Sequence, residues 1–122
     1  MSQTPTAGSA VERLALLRAL QGRHAEAQAL VPRLLSIVQR NRSYHHFTYT
    51  IARVYALGGK ADDAARWLNE TIDGGFPCYP LVASDTFLDP VRNAPAIQAS
   101  LIRLRSRLDD FRAAVAAASR VQ

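Results

Sequence analysis

Three histidines and one cysteine are the side chains in this 122-residue sequence with the strongest potential for metal binding or nucleophilic catalysis. His45 and His46 are adjacent, so on a helix their side chains point about 100° apart and do not share one metal-binding face. The sequence contains no HExxH motif and no Cys-x-x-Cys pair, the spacings that hold zinc in many proteins. It therefore predicts no metal site.

Cys78 is the single cysteine, and it stands among prolines and aromatic residues. With His45 or His46 close in space, its thiol could act as a nucleophile activated by a histidine base. A lone free cysteine is more often a small buried hydrophobic group, and that interpretation is favoured. The sequence also lacks a glycine-rich phosphate loop, a GxSxG elbow and a dinucleotide fingerprint. It therefore predicts a protein that is not an enzyme and binds no cofactor.

A second group of residues has the composition of a binding surface. His46, Tyr49 and Arg53 are spaced three and four residues apart, which places them on one face of a helix. Tyrosine and arginine are enriched at the energetically dominant positions of protein interfaces, and an arginine can pair with a peptide carboxylate. Together with Glu12 and Leu16 from an earlier helix, these residues form the predicted partner-binding site. The alternative is an ordinary solvated helix face.

The charge balance bears on the kind of partner. Fifteen basic residues against ten acidic ones give a net charge of +5. Such a charge can attract nucleic acid, and a basic nucleic-acid-binding helical protein is the alternative function. The basic residues are scattered among aspartates and glutamates rather than clustered on one stretch, which favours a protein or peptide partner over nucleic acid.

Helices are predicted to position these residues, because apolar side chains recur at helical spacing over most of the sequence. The predicted spans are about 9–22, 24–40, 43–57, 61–73 and 94–119. Ser9 and Glu12 form a predicted capping box at the start of the first helix. Pro32 falls inside the second helix, where a kink is predicted rather than a break.

Residues 76–93 are predicted to be a connector with one or two short helical turns, because three prolines interrupt any long period. Asp85 and Asp89 flank one such turn and are predicted to cap it. The connector is too apolar for a free linker, so its large side chains are predicted to close the end of the helical stack. These side chains are Phe76, Tyr79, Leu81, Phe87, Leu88 and Val91.

The last predicted helix has apolar residues spaced alternately four and three apart, which is a heptad pattern. They are Ile97, Leu101, Leu104, Leu108, Phe111, Val115 and Ala118. This seam is predicted to pack on its own chain, and pairing with a second copy is the alternative.

The sequence repeats itself at an interval of 37 residues, which separates Gly22 from Gly59 and Ala27 from Ala64. The same interval aligns Leu14 with Ile51, Ala15 with Ala52, Ala19 with Ala56 and Val31 with Leu68. Each half therefore consists of a helix, a turn containing glycine and a second helix. This pattern is typical of a solenoid of αα-hairpins, whose units stabilise one another by stacking.

The second half resembles a tetratricopeptide repeat. The residues with that family's pattern are Ile51, Ala52, Tyr55, Gly59, Ala64 and Leu68. The first half matches less closely, since Arg18 stands at the aromatic position and Leu34 at the second small position. The segment that follows resembles the closing segment after the last repeat in many bacterial tetratricopeptide arrays. That match consists of Gly75, Phe76, Tyr79, Pro80, Leu88, Pro90 and Arg92.

The resemblance covers about residues 9–112 and implies an all-α fold, a short αα-hairpin solenoid. Two units, about 9–42 and 43–75, would follow a flexible lead over residues 1–8. The proline-rich connector 76–93 and a long C-terminal capping helix over 94–119 would complete it. The family's function implies a non-catalytic adaptor or scaffold that binds a peptide or protein partner through its concave helical face.

Two units are fewer than the three or more that solenoids normally need for stability. The chain is therefore expected to dimerise, to dock on a larger partner or to form part of a longer protein. A homodimer would use the terminal helix or the open N-terminal end, where Leu16, Leu17 and Leu20 are expected to form an apolar patch. No apolar run approaches a membrane span and the N-terminus lacks a signal-peptide pattern, which predicts a cytoplasmic protein without a membrane partner.

Overall fold

A computed structural model of the chain describes residues 7–38, 44–74 and 79–120. Over these residues the protein is all-helical and contains no strand, which confirms the predicted all-α class. The helices are α1 (Ala7–Leu20), α2 (His24–Ala29), α3 (Val31–Val38), α4 (Tyr44–Leu57), α5 (Ala61–Asp73), α6 (Tyr79–Ala83), a 3₁₀ helix (Thr86–Val91) and α7 (Pro95–Arg120). None of the described helices is both long and apolar enough to traverse a lipid bilayer.

The first helix begins earlier than its sequence indicates. α1 starts at Ala7, so Ser9 lies within its first turn and the predicted capping box with Glu12 is wrong. Glu12 instead accepts a hydrogen bond from the hydroxyl of Thr50 on α4. Of the predicted flexible lead, residues 7 and 8 belong to α1, and residues 1–6 lie outside the described part.

The second predicted helix is divided at one residue, Leu30, into α2 and α3. Pro32 has no N–H to donate to the Gln28 carbonyl, and its ring crowds the preceding turn. At the interruption, the Leu30 amide bonds to the Ala27 carbonyl three residues back. The backbone of Leu30 stays in the right-handed helical region, with φ −81° and ψ −15°, so the interruption is confined to this residue.

The two glycine turns are built from equivalent backbone hydrogen bonds. Gly22 and Gly59 have positive φ angles of 79° and 75°, a conformation that glycine adopts without strain. At the first turn, the amides of Gly22 and Arg23 donate hydrogen bonds to the carbonyls of Ala19 and Arg18, respectively. At the second turn, the amides of Gly59 and Lys60 donate to the carbonyls of Ala56 and Tyr55. This pattern of paired bonds satisfies the last carbonyls of a helix. The predicted equivalence of the two turns is confirmed.

Replacing either glycine with alanine is expected to reduce the free energy of unfolding by a similar amount, about 1 kcal/mol, because the left-handed conformation is strained for a residue with a Cβ. A Cβ at Gly22 or Gly59 would meet no atom within 4 Å, so the backbone conformation alone determines the cost. Urea unfolding of Gly22→Ala and Gly59→Ala measures both effects. A cost at one turn without a comparable cost at the other would contradict their equivalence.

The small residues that the repeat brings into register are buried at the helix contacts. The pairs at equivalent positions of the two halves are Ala15 and Ala52, Ala19 and Ala56, and Ala27 and Ala64. Alanine at these positions lets the helix axes approach closely. The equivalent positions Leu14 and Ile51 differ in burial, because Ile51 is fully buried whereas Leu14 is exposed.

α4 is the central element, since it packs against α1, α2, α3, α5 and the 3₁₀ helix. α1 and α4 run in the same direction: Glu12 contacts Thr50, and further along Ala15 and Ala19 share a buried cluster with Val54. α5 and α7 pack together. The Ser100 hydroxyl donates to the Asn69 side chain at 2.9 Å, and further along Arg103 pairs with Asp73, so α7 also runs parallel to α5.

The described residues of the connector contribute to the core, and Phe76, which was also predicted to close the stack, lies outside them. The described residues form the two short helices α6 and the 3₁₀ helix. Asp85 caps the 3₁₀ helix by accepting a hydrogen bond from the Phe87 amide at 2.9 Å. Val82, Leu88 and Val91 are buried, whereas Leu81, which was predicted to help close the stack, is exposed.

The heptad seam of α7 is divided between two environments. Ile97, Leu101 and Leu104 are buried against the protein's own core, which confirms the prediction for this half. Phe111 and Val115 are exposed. At the N-terminal end, Leu17 and Leu20 are exposed as expected, whereas Leu16 is half-buried.

Candidate binding site between α1, α4 and the connector

A cavity of about 330 Å³ opens between α1, α4 and α6. It is lined by Glu12, Arg13, Leu16, His46, Tyr49, Thr50, Arg53 and Leu81. The five residues of the predicted partner-binding site are all among them, so the structure places them around one concave surface. The parallel course of α1 and α4 explains this, because it aligns the helical spacing of Glu12 and Leu16 with that of His46, Tyr49 and Arg53.

Tyr49 forms the floor of the cavity rather than an exposed contact. The sequence suggested a tyrosine available to a partner, but this side chain is buried and its hydroxyl donates a hydrogen bond to the Asp85 carboxylate. Burial, reinforced by that hydrogen bond and by the negative charge of Asp85, raises the pKa of the Tyr49 phenol well above its ordinary value of 10.0. The Tyr49 phenol therefore keeps its proton to a higher pH than an exposed tyrosine does.

The raised pKa of Tyr49 predicts a loss of stability at alkaline pH. The phenol's contribution is complete below about pH 10 and declines as the pH rises further, because the unfolded chain releases the proton more readily. Between about pH 9 and pH 11 the free energy of unfolding of the wild type is expected to fall more steeply than that of Tyr49→Phe. Urea unfolding at the two pH values measures this difference, and equal slopes for the two proteins would contradict it.

Arg53 is held by contacts on two sides. Its Nε lies 3.0 Å from the Asp85 Oδ2, an ion pair without hydrogen-bond alignment. Its guanidinium carbon lies 4.2 Å from the ring centroid of Phe87 and 5.4 Å from that of Tyr49, so the cation stacks on aromatic faces. These contacts fix the arginine's position at the cavity wall before any partner arrives.

Asp85 is the residue that joins the cavity to the connector. Its side chain is 8% exposed, and its carboxylate contacts Tyr49, Arg53 and the Phe87 amide. Arg92 supports the same turn by donating hydrogen bonds to the carbonyls of Ala83 and Asp85. The sequence predicted that Asp85 and Asp89 cap a turn, which is confirmed for Asp85 and wrong for Asp89, since Asp89 lies inside the 3₁₀ helix and its side chain pairs with Arg92. The ion pair of Asp85 with a helix more than 30 residues earlier was missed.

The rim of the cavity consists of accessible side chains. Arg13, His46 and Leu81 are exposed, and Leu16 is half-buried. Arg13 was missed, although its position three residues before Leu16 places it on the same side of α1. Thr50 and Leu81 were also missed. Nothing in the sequence around Leu81 shows which way the connector turns it.

The structure describes only some of the histidine and cysteine side chains considered for metal binding or nucleophilic catalysis. No group of three histidine, cysteine, aspartate or glutamate residues among those described is placed to hold a metal ion. Cys78 lies outside the described residues, as does the side chain of His45. The hypothesis of a cysteine nucleophile with a nearby histidine therefore stays a prediction.

Comparisons with protein-family models, curated proteins and solved structures gave no match. The repeat geometry and the cavity are therefore the basis for a functional proposal.

Proposed function

We propose that this chain is a non-catalytic, cytoplasmic protein–protein interaction module of the tetratricopeptide type, which binds a peptide segment of its partner in the cavity between α1, α4 and α6. The single observation behind this proposal is that five residues selected for interface chemistry, Glu12, Leu16, His46, Tyr49 and Arg53, line one cavity. Its volume of about 330 Å³ is suited to one or two side chains of a peptide.

The arrangement of the repeats supports a solenoid. α4 packs beside α1 in the same direction, and the 3₁₀ helix also packs against α4. α7 runs parallel to α5, the second helix of the second unit. The connector and α7 are thus interpreted as a third, irregular hairpin. This hairpin would supply the stacking that two units alone lack.

The chemistry of the lining suggests which peptides fit best. Among the described lining residues, Arg13 is an exposed cation at the rim, Arg53 is already paired with Asp85, and Glu12 accepts a hydrogen bond from Thr50. Leu16 and Leu81 provide apolar walls. A peptide with an acidic residue beside an apolar one would pair its carboxylate with the basic rim and bury its apolar side chain. The fixed position of Arg53 reduces the entropy lost on binding.

The pairing of arginines supports a peptide ligand over the nucleic-acid alternative. Several arginines that contribute to the net charge lie beside acidic side chains. These pairs are Arg18 and Arg23 with Glu26, Arg53 with Asp85, Arg92 with Asp89, and Arg103 and Arg107 with Asp73. A protein that binds nucleic acid by neutralising its phosphates would instead present a continuous stripe of basic side chains.

Selection of binders from a random peptide library on the full chain tests the proposal. Selected peptides are expected to share an acidic residue next to an apolar one. The double variant Arg13→Glu, His46→Glu is expected to weaken their binding at least tenfold. Arg33→Glu on α3 changes charge at an exposed site outside the cavity and is expected to bind normally.

Two results would reject this function. One is a set of selected peptides whose binding is unaffected by the cavity variant. The other is a gel shift with nucleic acid at low salt, steeply weakened by added salt, in a protein that selects no peptide. Circular dichroism of each variant verifies that the helical fold is retained.

A further inference from the structure

The second half of α7 presents an apolar face that the described residues leave uncovered. Phe111 and Val115 are 61% and 49% exposed, and beyond Leu108 every described residue is exposed. The heptad spacing that buries Leu101 and Leu104 against the core continues without interruption through this exposed part. We call Leu108, Phe111, Val115 and Ala118 the free face of α7.

The free face has basic residues on both flanks. In the heptad frame set by Leu108 and Phe111, Arg105 and Arg112 flank one side and Arg107 flanks the other. Asp109 and Asp110 occupy the remaining part of the helix, turned away from the apolar seam. Arg107 lies 3.6 Å from Asp73, and its side chain is still half-exposed. The charged residues at the flanking positions are therefore all arginine, and the other two flanking positions hold Ala114 and Ser119.

This charge pattern distinguishes between possible occupants of the free face. Two copies that paired through it would place arginine flanks against arginine flanks, and like charges at flanking positions oppose pairing. A nucleic-acid duplex would contact the arginines, but it would leave the apolar seam of Phe111 and Val115 exposed because its bases are already stacked on one another. A helix with an apolar stripe between acidic flanks matches both the seam and its charges.

We propose that the free face of α7 is a second docking surface, which binds an amphipathic helix of another protein whose apolar stripe is flanked by acidic residues. It is independent of the cavity, because none of its residues lines the cavity. The bound helix would lie along the seam, bury Phe111 and Val115, and pair its carboxylates with Arg105, Arg107 and Arg112.

Two synthetic helical peptides of three heptads, used with the full chain, test this proposal. Both have leucine at the seam positions, and the flanking positions are glutamate in one and lysine in the other. Fluorescence anisotropy is expected to show at least tenfold tighter binding of the glutamate peptide. The double variant Arg105→Glu, Arg112→Glu is expected to reverse that preference.

Matched variants separate the apolar contribution from any loss of helix. Phe111→Ser with Val115→Ser is expected to weaken binding of the glutamate peptide at least tenfold. Ala113→Ser with Ala117→Ser introduces the same residue away from the seam and is expected to leave binding unchanged. Circular dichroism compares the helix content of the two variants.

Four results would overturn the proposal. The first is absence of binding, and the second is equal affinity for the two peptides. The third is binding that depends on the arginines but not on Phe111 and Val115, a result that would indicate a surface for polyanions such as nucleic acid. The fourth is a dimer in light scattering that Phe111→Ser, Val115→Ser converts to monomer, which would show that a second copy occupies the free face.

Discussion

Replacing Asp85 with alanine is expected to lower the free energy of unfolding by about 2 to 3 kcal/mol, because it removes one partner of a mostly buried ion pair. The change leaves Arg53 without its counter-ion, the Tyr49 hydroxyl without its acceptor and the Phe87 amide without its cap. The side chain of Arg53 is 25% exposed, so solvent offsets part of the cost of its unpaired charge. Urea unfolding followed by circular dichroism measures the effect.

Asp89→Ala is the matched control for Asp85→Ala. Asp89 stands four residues later in the same connector and pairs with Arg92, but its side chain is 60% exposed. An exposed pair of this kind is worth less than about 1 kcal/mol. Similar costs for the two variants would show that the contacts of Asp85 with α4 contribute little to stability.

Leu88→Ala is expected to cost about 3 kcal/mol, since truncation of a fully buried leucine removes apolar burial and leaves a cavity. Leu88 is 0% exposed in the 3₁₀ helix, whereas Leu81, in the same connector, is 55% exposed at the rim of the cavity. Leu81→Ala is therefore expected to change stability by less than about 0.5 kcal/mol. Thermal and urea unfolding of both variants distinguish the two environments.

Leu81→Ala is also expected to weaken binding of peptides selected on the full chain, because it removes an apolar wall of the cavity. Leu88→Ala, measured under conditions in which it remains folded, is expected to bind these peptides more tightly than Leu81→Ala does. A larger loss of stability from Leu81→Ala than from Leu88→Ala would mean that the connector packs with the opposite face inward.

Local patterns in the sequence were sufficient to predict much of the fold. The span of α5 agrees with the structure at both ends, and the turns at Gly22 and Gly59 are equivalent as the 37-residue interval indicated. Both features depend on interactions within a few residues, such as acidic side chains in a first turn or glycine after a helix. Such interactions can be recognised without knowing what lies nearby in space.

The parts that could not be predicted depend on contacts between distant segments. Helical spacing correctly placed Tyr49 beside His46 and Arg53, but it could not show that Asp85 covers the tyrosine hydroxyl. Glu12 fitted a local capping box, yet its carboxylate bonds to Thr50 on another helix. A periodic pattern specifies a face of a helix, whereas the partner of that face depends on tertiary packing.

Arg53 belongs both to the wall of the cavity and to the ion pair with Asp85, which fixes the start of the 3₁₀ helix. A peptide that fills the cavity and leaves the pair between Arg53 and Asp85 intact is therefore expected to favour the ordered 3₁₀ helix, and by reciprocity the ordered helix would favour binding. Amide hydrogen exchange around Leu88 would slow when the cavity is filled, at a location that the bound peptide never touches.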